Sequence, residues 1–262
     1  MLQSFVAMGV ISLLWIVVGF SLAFGDQLSR PDRRPAHLLH VHARRRADPP
    51  DLAPTIPLIV FALFQLKFAI ITPALITGSF AERVRFSSYL LFMCLFSIFV
   101  YSPLAHWTWH PDGFLHKLGV LDFAGGTVVA HVGRLRRAGR RDGARAAARP
   151  TRTARRHTPA NIPFVILGTG MLWFGWFGFN AGSALSASGQ AAMAFATTNT
   201  ASASAALAWI FFDRHARPEA VGARRAASAR WSGSCAITPA AGYVGIGESD
   251  LHRHRSRASS RT

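Results

Sequence analysis

Residues Gly168–Ser183 read GTGMLWFGWFGFNAGS, an aromatic and glycine-rich stretch without a charged side chain. The stretch lies within residues 161–212, which contain no Asp, Glu, Lys or Arg. Because a helix of about 20 apolar residues crosses a bilayer, this run is long enough for two crossings. It therefore predicts a membrane protein built from α-helices.

Two interpretations of this stretch remain open from its pattern. Phe179 and Ser183 are four residues apart, so a helix places the ring and the hydroxyl on one face, as at a pore mouth. Alternatively, Gly175, Gly178 and Gly182 let a neighbouring helix approach closely, as in ordinary membrane helix packing. The pattern alone favours packing.

The apolar and basic residues of the chain occupy different segments. Half of the 262 residues are hydrophobic, yet the net charge is +17. Only two of the 29 basic residues are lysines, Lys67 and Lys117, and almost all the arginines lie in three interruptions and the tail. Such runs suggest an alternative function, a membrane-anchored basic protein that binds nucleic acid or anionic lipid. Against it, the arginine bias is unusual for a basic surface, and residues 132–158 lack the Phe, Trp or Tyr that stack on bases.

The apolar runs predict an all-α fold, a polytopic membrane helix bundle with disordered Arg-rich interruptions. The first apolar run, residues 1–25, is too long for a cleavable signal peptide, so it predicts a membrane crossing. We place a membrane domain at 1–247 and a basic tail at 248–262. The predicted crossings lie near 1–25, 56–80, 86–107, 162–180 and 191–212, with a partial crossing at 118–130. Basic irregular stretches lie at 26–50, 132–157 and 213–235.

Individual residues within these runs point to function. Lys67 lies inside a predicted crossing, where a charge is costly, so it should face protein or water or snorkel toward an interface. Trp109 is either an interfacial anchor or a ligand for a cation. Asp122 is either the cap of a helix N-terminus or a carboxylate that attracts cations. The isolated Cys94 and Cys235 indicate neither a metal site nor a disulfide framework, and we expect no cofactor.

Six segments in order resemble the ammonium transporter family (Amt, Mep and Rh proteins): SLAFG, FAIITPALITGSFAERVRF, LAHWTW, LDFAGGTVV, WFGFNAGSA and ITPAAGYVG. The resemblance implies a bundle of eleven membrane helices in two inverted halves, of which this chain has a part. It also implies ammonium or ammonia as substrate, a transporter rather than an enzyme, a homotrimer in the cytoplasmic membrane, and a PII-type protein as a possible regulator.

The resemblance also assigns roles to individual residues. Trp109 in LAHWTW and Ser183 in FNAGS resemble the residues that recruit ammonium at the outer entrance. Asp122 in LDFAGG resembles the acid behind that site. Phe68 and Phe179 resemble the pair of rings that gates the pore.

The chain departs from the family pattern at the first pore histidine. The family has histidine directly after DFAGGTVV, where this chain has Ala130, and His131 follows one residue later. A shift of one residue turns a helical side chain by about 100°, and the segment carrying the second pore histidine is missing. We therefore expect this chain alone not to conduct. Our hypothesis for the Arg-rich interruptions and tail is out-of-frame translation of a GC-rich gene, which translating the nucleotides in the other two frames would test.

Overall fold

The computed structural model describes residues 2–25, 52–80, 84–131, 161–216 and 233–247. All regular secondary structure in these residues is helical, which confirms the predicted all-α class. The three Arg-rich interruptions and the tail lie almost entirely outside the described residues. The helices are Leu2–Leu14 (α1), Phe20–Phe24 (α2), Leu58–Phe80 (α3), Phe86–Phe96 (α4), Ser102–Trp109 (α5), Phe114–Lys117 (α6), Ile162–Gly182 (α7) and Gly189–Ala216 (α8).

Short π-helical turns join several of these helices into longer ones. Trp15–Gly19 connects α1 to α2, and Ser97–Tyr101 connects α4 to α5. The second turn directly precedes α5, which has Pro103 in its first turn. Proline has no backbone N–H to donate and disrupts regular helical hydrogen bonding. The Ser97 carbonyl accepts from the Ser102 backbone N–H and, at 2.9 Å, from the Ser102 hydroxyl, so a side chain reinforces the irregular turn.

Four helical segments of the described residues are long and apolar enough to cross a membrane, namely Gln3–Phe24, Leu58–Ile76, Phe86–Lys117 and Ile162–Gly182. Each overlaps a predicted crossing, and Phe86–Lys117 extends ten residues beyond the predicted end at 107. Helix α8 covers the predicted crossing at 191–212, but its many Ser and Thr residues make it less apolar than these four. Its membrane crossing therefore stays a prediction. The segment at 118–130 contains only the π-helical turn Gly126–His131 at its end.

The chain forms two compact units, Met1–Leu121 with Thr127–Gly143, and Asp122–Gly126 with Ala144–Thr262. In the first unit an aromatic core joins α1 and α2 to α3. The buried Trp15 indole donates to the Ala62 carbonyl at 3.1 Å and packs edge-on against Phe24 and Tyr101. Phe24 in turn packs against Phe61 with ring centroids 5.0 Å apart. Large interlocking rings thus position α3 in the first unit.

In the second unit α7 packs on α8, and residues 233–247 pack against α8 through small side chains. The buried core there consists of Ala194, Ala201, Ile237 and Ala241. A Cβ at Gly233 would lie only 2.6 Å from the Ala201 carbonyl oxygen, so glycine permits this close approach. Hydroxyl groups supplement the packing, since Thr197 donates to the Ala241 carbonyl at 2.8 Å.

Candidate functional site

The first unit holds an aromatic cluster formed by Phe64, Phe68 and Trp109. The Phe68 ring lies edge-on to the Trp109 indole with centroids 5.5 Å apart, and Phe64 packs on Phe68 at 5.0 Å. Phe68 is only 1% exposed, whereas Trp109 is half-buried. Edge-to-face contacts of this kind stabilise a defined ring orientation. The indole is therefore fixed by its neighbour while part of it remains accessible.

A stacked histidine pair lies at the end of α5, the helix that also carries Trp109. The rings of His106 and His110 are both buried and lie 4.5 Å apart, with an angle of 21° between their planes. His106 Nδ1 lies 3.1 Å from the Ala23 carbonyl, and His110 Nδ1 accepts from the Asp112 N–H at 3.1 Å. The first contact ties α5 to the end of α2, and the second fixes the turn that follows α5. These contacts hold the part of the helix that carries Trp109.

The second unit carries Phe179 and Ser183 on α7 and at its end. Phe179 is 8% exposed and stacks on Trp176 with ring centroids 4.8 Å apart. The Ser183 hydroxyl donates to the Phe179 carbonyl at 2.9 Å. Because that bond uses the only hydroxyl hydrogen, the lone pairs of Ser183 Oγ face any further partner as acceptors. Such an oxygen suits a ligand that donates hydrogen bonds.

Asp122 caps the glycine turn that follows it. Its Oδ1 accepts from the Gly125 N–H at 2.9 Å and from the Gly126 N–H at 2.7 Å, and the residue is 7% exposed. Gly125 has φ +87°, a left-handed conformation that glycine adopts readily. A Cβ at Gly126 would overlap the Pro239 ring. The capping interpretation of Asp122 therefore has a direct structural basis.

The Asp122 carboxylate also has an electrostatic effect within this unit. Burial, and after it the charge of Asp122, raises the pKa of the Tyr243 phenol above its ordinary value of 10.0. The Tyr243 ring packs edge-on against Phe123 at 5.3 Å. Asp122 thus combines a local structural role with a negative potential in its surroundings.

The glycine-packing interpretation of α7 is not supported at two of its three positions. A Cβ at Gly175 or at Gly178 would meet no atom within 4 Å among the described residues. Both glycines are exposed. In the part of the chain that the structure describes, no helix therefore makes a close approach at these positions.

The structure brings some of the predicted site residues together within each unit. Phe68 contacts Trp109 in the first unit, and Phe179 contacts Ser183 in the second. The pairings of Phe68 with Phe179 and of Trp109 with Ser183 join residues of different units and stay predictions. His131 is the last residue of the π-helical turn, but its side chain lies outside the description. The Arg-rich segments behind the nucleic-acid or lipid alternative also lie outside it.

Sequence reasoning missed three of these contacts, although each has a recognisable signal. Phe64 and Phe68, like His106 and His110, are separated by four residues, which places both members on one helix face. Trp176 and Phe179 are three apart, with the same consequence. Helical spacing of rings beside a candidate residue is therefore a usable signal for its supporting contacts.

Comparison with known proteins gives consistent matches. The sequence profile of the Ammonium Transporter Family matches residues 1–249. A putative ammonium transporter of Methanothermobacter thermautotrophicus is 45% identical over 94% of this chain and 58% of its own length. An ammonium transporter of Aquifex aeolicus is 44% identical over 93% of this chain and 55% of its own.

Solved structures match as well. The crystal structure of Saccharomyces cerevisiae Mep2 superposes with a TM-score of 0.80 at 31% identity, over 96% of this chain and 57% of that one. A sensor Amt protein superposes with a TM-score of 0.77 at 29% identity, over 95% of this chain and 62% of that one. The chain thus spans little more than half the length of these relatives.

Proposed function

We propose, because the chain belongs to the ammonium transporter family, that it forms the outer recruitment site and the gate of a pore for ammonium or ammonia. The observation that carries the proposal is the contact of Phe68 with Trp109, 5.5 Å between ring centroids. It joins a nearly inaccessible ring to an indole that is only half-buried. A cation-binding face and an apolar barrier therefore lie next to each other.

Recruitment follows from the chemistry of two side chains. The face of an indole attracts a small cation by about 0.5–2 kcal/mol, depending on how much water is removed. Ammonium also donates hydrogen bonds, and Ser183 Oγ offers lone pairs because its own hydrogen is engaged by Phe179. We propose, from the family resemblance, that Trp109 and Ser183 are residues that recruit ammonium at the outer entrance. We propose, from the same resemblance, that Asp122 is the acid behind this site, where its negative charge favours a cation.

Selection follows at the two phenylalanine rings. Phe68 is held by Trp109 and Phe64, and Phe179 is held by Trp176. An ion that passes such rings loses its hydration shell without a replacement, which is costly. We propose that the ion gives up a proton to water before this barrier and that neutral ammonia crosses it, with the proton routed separately if transport is electrogenic.

The assembly and location of the protein are also proposals from the family. The protein is a multi-pass membrane protein, and we propose the cytoplasmic membrane as its location. A homotrimer and a PII-type regulatory partner are proposed on the same basis. We further propose that this chain alone does not conduct, since Ala130 occupies the position at which the family pattern has the first pore histidine.

Binding of radiolabelled methylammonium to the purified chain in lipid vesicles tests the recruitment site. Replacing Trp109 by Leu should weaken binding by about 2- to 30-fold, the equivalent of 0.5–2 kcal/mol. The matched control is Trp107→Leu, because Trp107 is two residues away, exposed, and packed on Phe114 instead. An equal loss in both variants, or none in Trp109→Leu, would contradict the recruitment site.

Transport itself requires a separate measurement. Methylammonium uptake by cells that make only this chain should not exceed that of cells without it. Replacing Ala130 by His restores the family pattern at one position and tests whether that position limits conduction. Uptake by the unaltered chain would contradict the proposal that it is inactive alone.

A further inference from the structure

Lys67 lies at the centre of a membrane-crossing helix and is exposed. In the candidate span Leu58–Ile76 it is nine residues from either end, which at 1.5 Å per residue is about 13 Å. The four-carbon stem of lysine covers only about half of that distance. Snorkelling therefore does not bring the ammonium group to the bilayer interface, and lipid alone is an unfavourable surrounding for it.

The surface around Lys67 is otherwise apolar. Leu63 one turn before it and Ile59 two turns before it are exposed, and Ile70 and Ile71 one turn after it are half-buried. A water-filled passage is lined by several polar groups, whereas a helix–helix contact in a membrane is apolar with an occasional polar pair. A single cation in an apolar face therefore indicates contact with another helix.

Neither carboxylate whose side chain the structure describes, Asp112 or Asp122, provides the missing charge. Among the described residues no carboxylate pairs with Lys67, since Asp112 pairs with Lys117 at 3.1 Å and Asp122 caps its turn. Of the 12 acidic residues, the other ten each have an arginine within five residues. In sequence, each of these carboxylates therefore has a cation nearby, so a second copy of the chain is the less favourable source of an unpaired carboxylate for Lys67.

We propose that the Lys67 face of α3, formed by Ile59, Leu63, Lys67, Ile70 and Ile71, is a docking surface for a membrane helix of different sequence. That helix carries one Asp or Glu near the middle of its own span. Its carboxylate pairs with the Lys67 ammonium group, and its apolar residues cover the neighbouring isoleucines and leucine. The proposal does not depend on transport activity.

The test uses designed Leu/Ala helices of about 20 residues with either Glu or Leu at the centre. Energy transfer between a labelled helix and the labelled chain in lipid vesicles measures their association. The Glu helix should bind about tenfold more tightly than the Leu helix, as interhelical polar contacts of about 1–2 kcal/mol allow. Equal binding of the two helices would overturn the proposal.

Variants of the chain show whether Lys67 causes the difference. Lys67→Leu should abolish the preference for the Glu helix, whereas the matched control Lys117→Leu should keep it, because Lys117 already pairs with Asp112. Lys67→Glu should bind a helix with a central Lys instead, and this rescue shows that the variant is folded. A preference that survives Lys67→Leu, or a failed rescue, counts against the docking surface.

An accessibility measurement shows whether the Lys67 face of α3 lines water or contacts lipid and helices. Cys94 and Cys235 are first replaced by Ala, and a single cysteine is introduced by Lys67→Cys or by Asp112→Cys. The Asp112 side chain is half exposed. The cysteine at position 67 should therefore react at least about tenfold more slowly with a charged, water-soluble thiol reagent than the cysteine at position 112. Equal reaction rates would mean that water reaches the face, which overturns the proposal.

Discussion

Replacing Asp122 separates its two possible roles, because its charge and its acceptor oxygen can be removed independently. In Asp122→Ala the N–H groups of Gly125 and Gly126 both lose their partner. Hydrogen bonds to a charged group contribute about 1.5–3 kcal/mol each. Because both N–H groups share one oxygen, we expect each bond to contribute the lower end of this range. The free energy of unfolding should then fall by about 3 kcal/mol in total. Asp122→Asn keeps an acceptor and should lose about half as much.

The assay is unfolding of the chain in mixed micelles by increasing anionic detergent, followed by tryptophan fluorescence. The matched control is Asp112→Asn, because Asp112 belongs to an exposed ion pair with Lys117, with side chains 48% and 61% exposed. Exposed pairs of this kind contribute about 0–1 kcal/mol. The control should therefore unfold nearly like the unaltered chain.

The relative behaviour of the two variants decides the interpretation. If Asp122→Asn is as destabilising as Asp122→Ala, the charge of Asp122 matters more than its acceptor oxygen, and the capping argument fails. If Asp122→Ala unfolds like the unaltered chain, the two short hydrogen bonds do not stabilise the turn. Methylammonium binding measured on Asp122→Asn then shows how much the charge contributes to recruitment, since that variant keeps the turn.

Three further predictions follow from the described contacts. Gly126→Ala forces a Cβ into the Pro239 ring and should lower the free energy of unfolding by about 1–3 kcal/mol. In the control Gly168→Ala the new Cβ meets no atom within 4 Å, so this variant should not destabilise the chain. Equal effects of the two substitutions would contradict the prediction. Trp15→Phe removes a buried hydrogen bond between helices and should cost about 1–2 kcal/mol in detergent unfolding. Because the pKa of Tyr243 is raised above 10.0, the folded state keeps that proton longer, so stability should decline above pH 10, and Tyr243→Phe should reduce the decline.

The helices were predictable because their apolar runs are long and are flanked by segments that contain charged residues. The helix Ile162–Gly182 begins at the predicted residue and ends two residues beyond the predicted crossing. The role of Asp122 was also open to prediction, since an Asp at the start of a helical turn is favoured as the acceptor for backbone N–H groups two or three residues later. Local spacing and local chemistry determine both features, so the sequence contains the information for them.

Contacts between helices were less predictable because they depend on which face a neighbour covers. Gly175 and Gly178 have the spacing of a packing face, yet no described atom lies close to them. Phe68 and Trp109 are on different helices, and spacing along the chain does not reveal their contact at 5.5 Å. The family resemblance named both residues but paired each with a residue of the other unit.

The hydroxyl groups of the second unit bear on how a proton could travel there. Thr198 Oγ1 donates to the Ala194 carbonyl at 2.6 Å and accepts from Asn180 Nδ2 at 2.7 Å. Thr238 Oγ1 likewise donates to the Ser234 carbonyl at 2.7 Å. A backbone carbonyl accepts a hydrogen bond but has no proton to pass on, so a hydroxyl that donates to a carbonyl does not relay a proton through that bond. In the described part of this unit, the bonds of Thr198 therefore support the contact of α7 with α8, and that of Thr238 supports residues 233–247. The proton that we propose to leave at the rings needs a route along other groups.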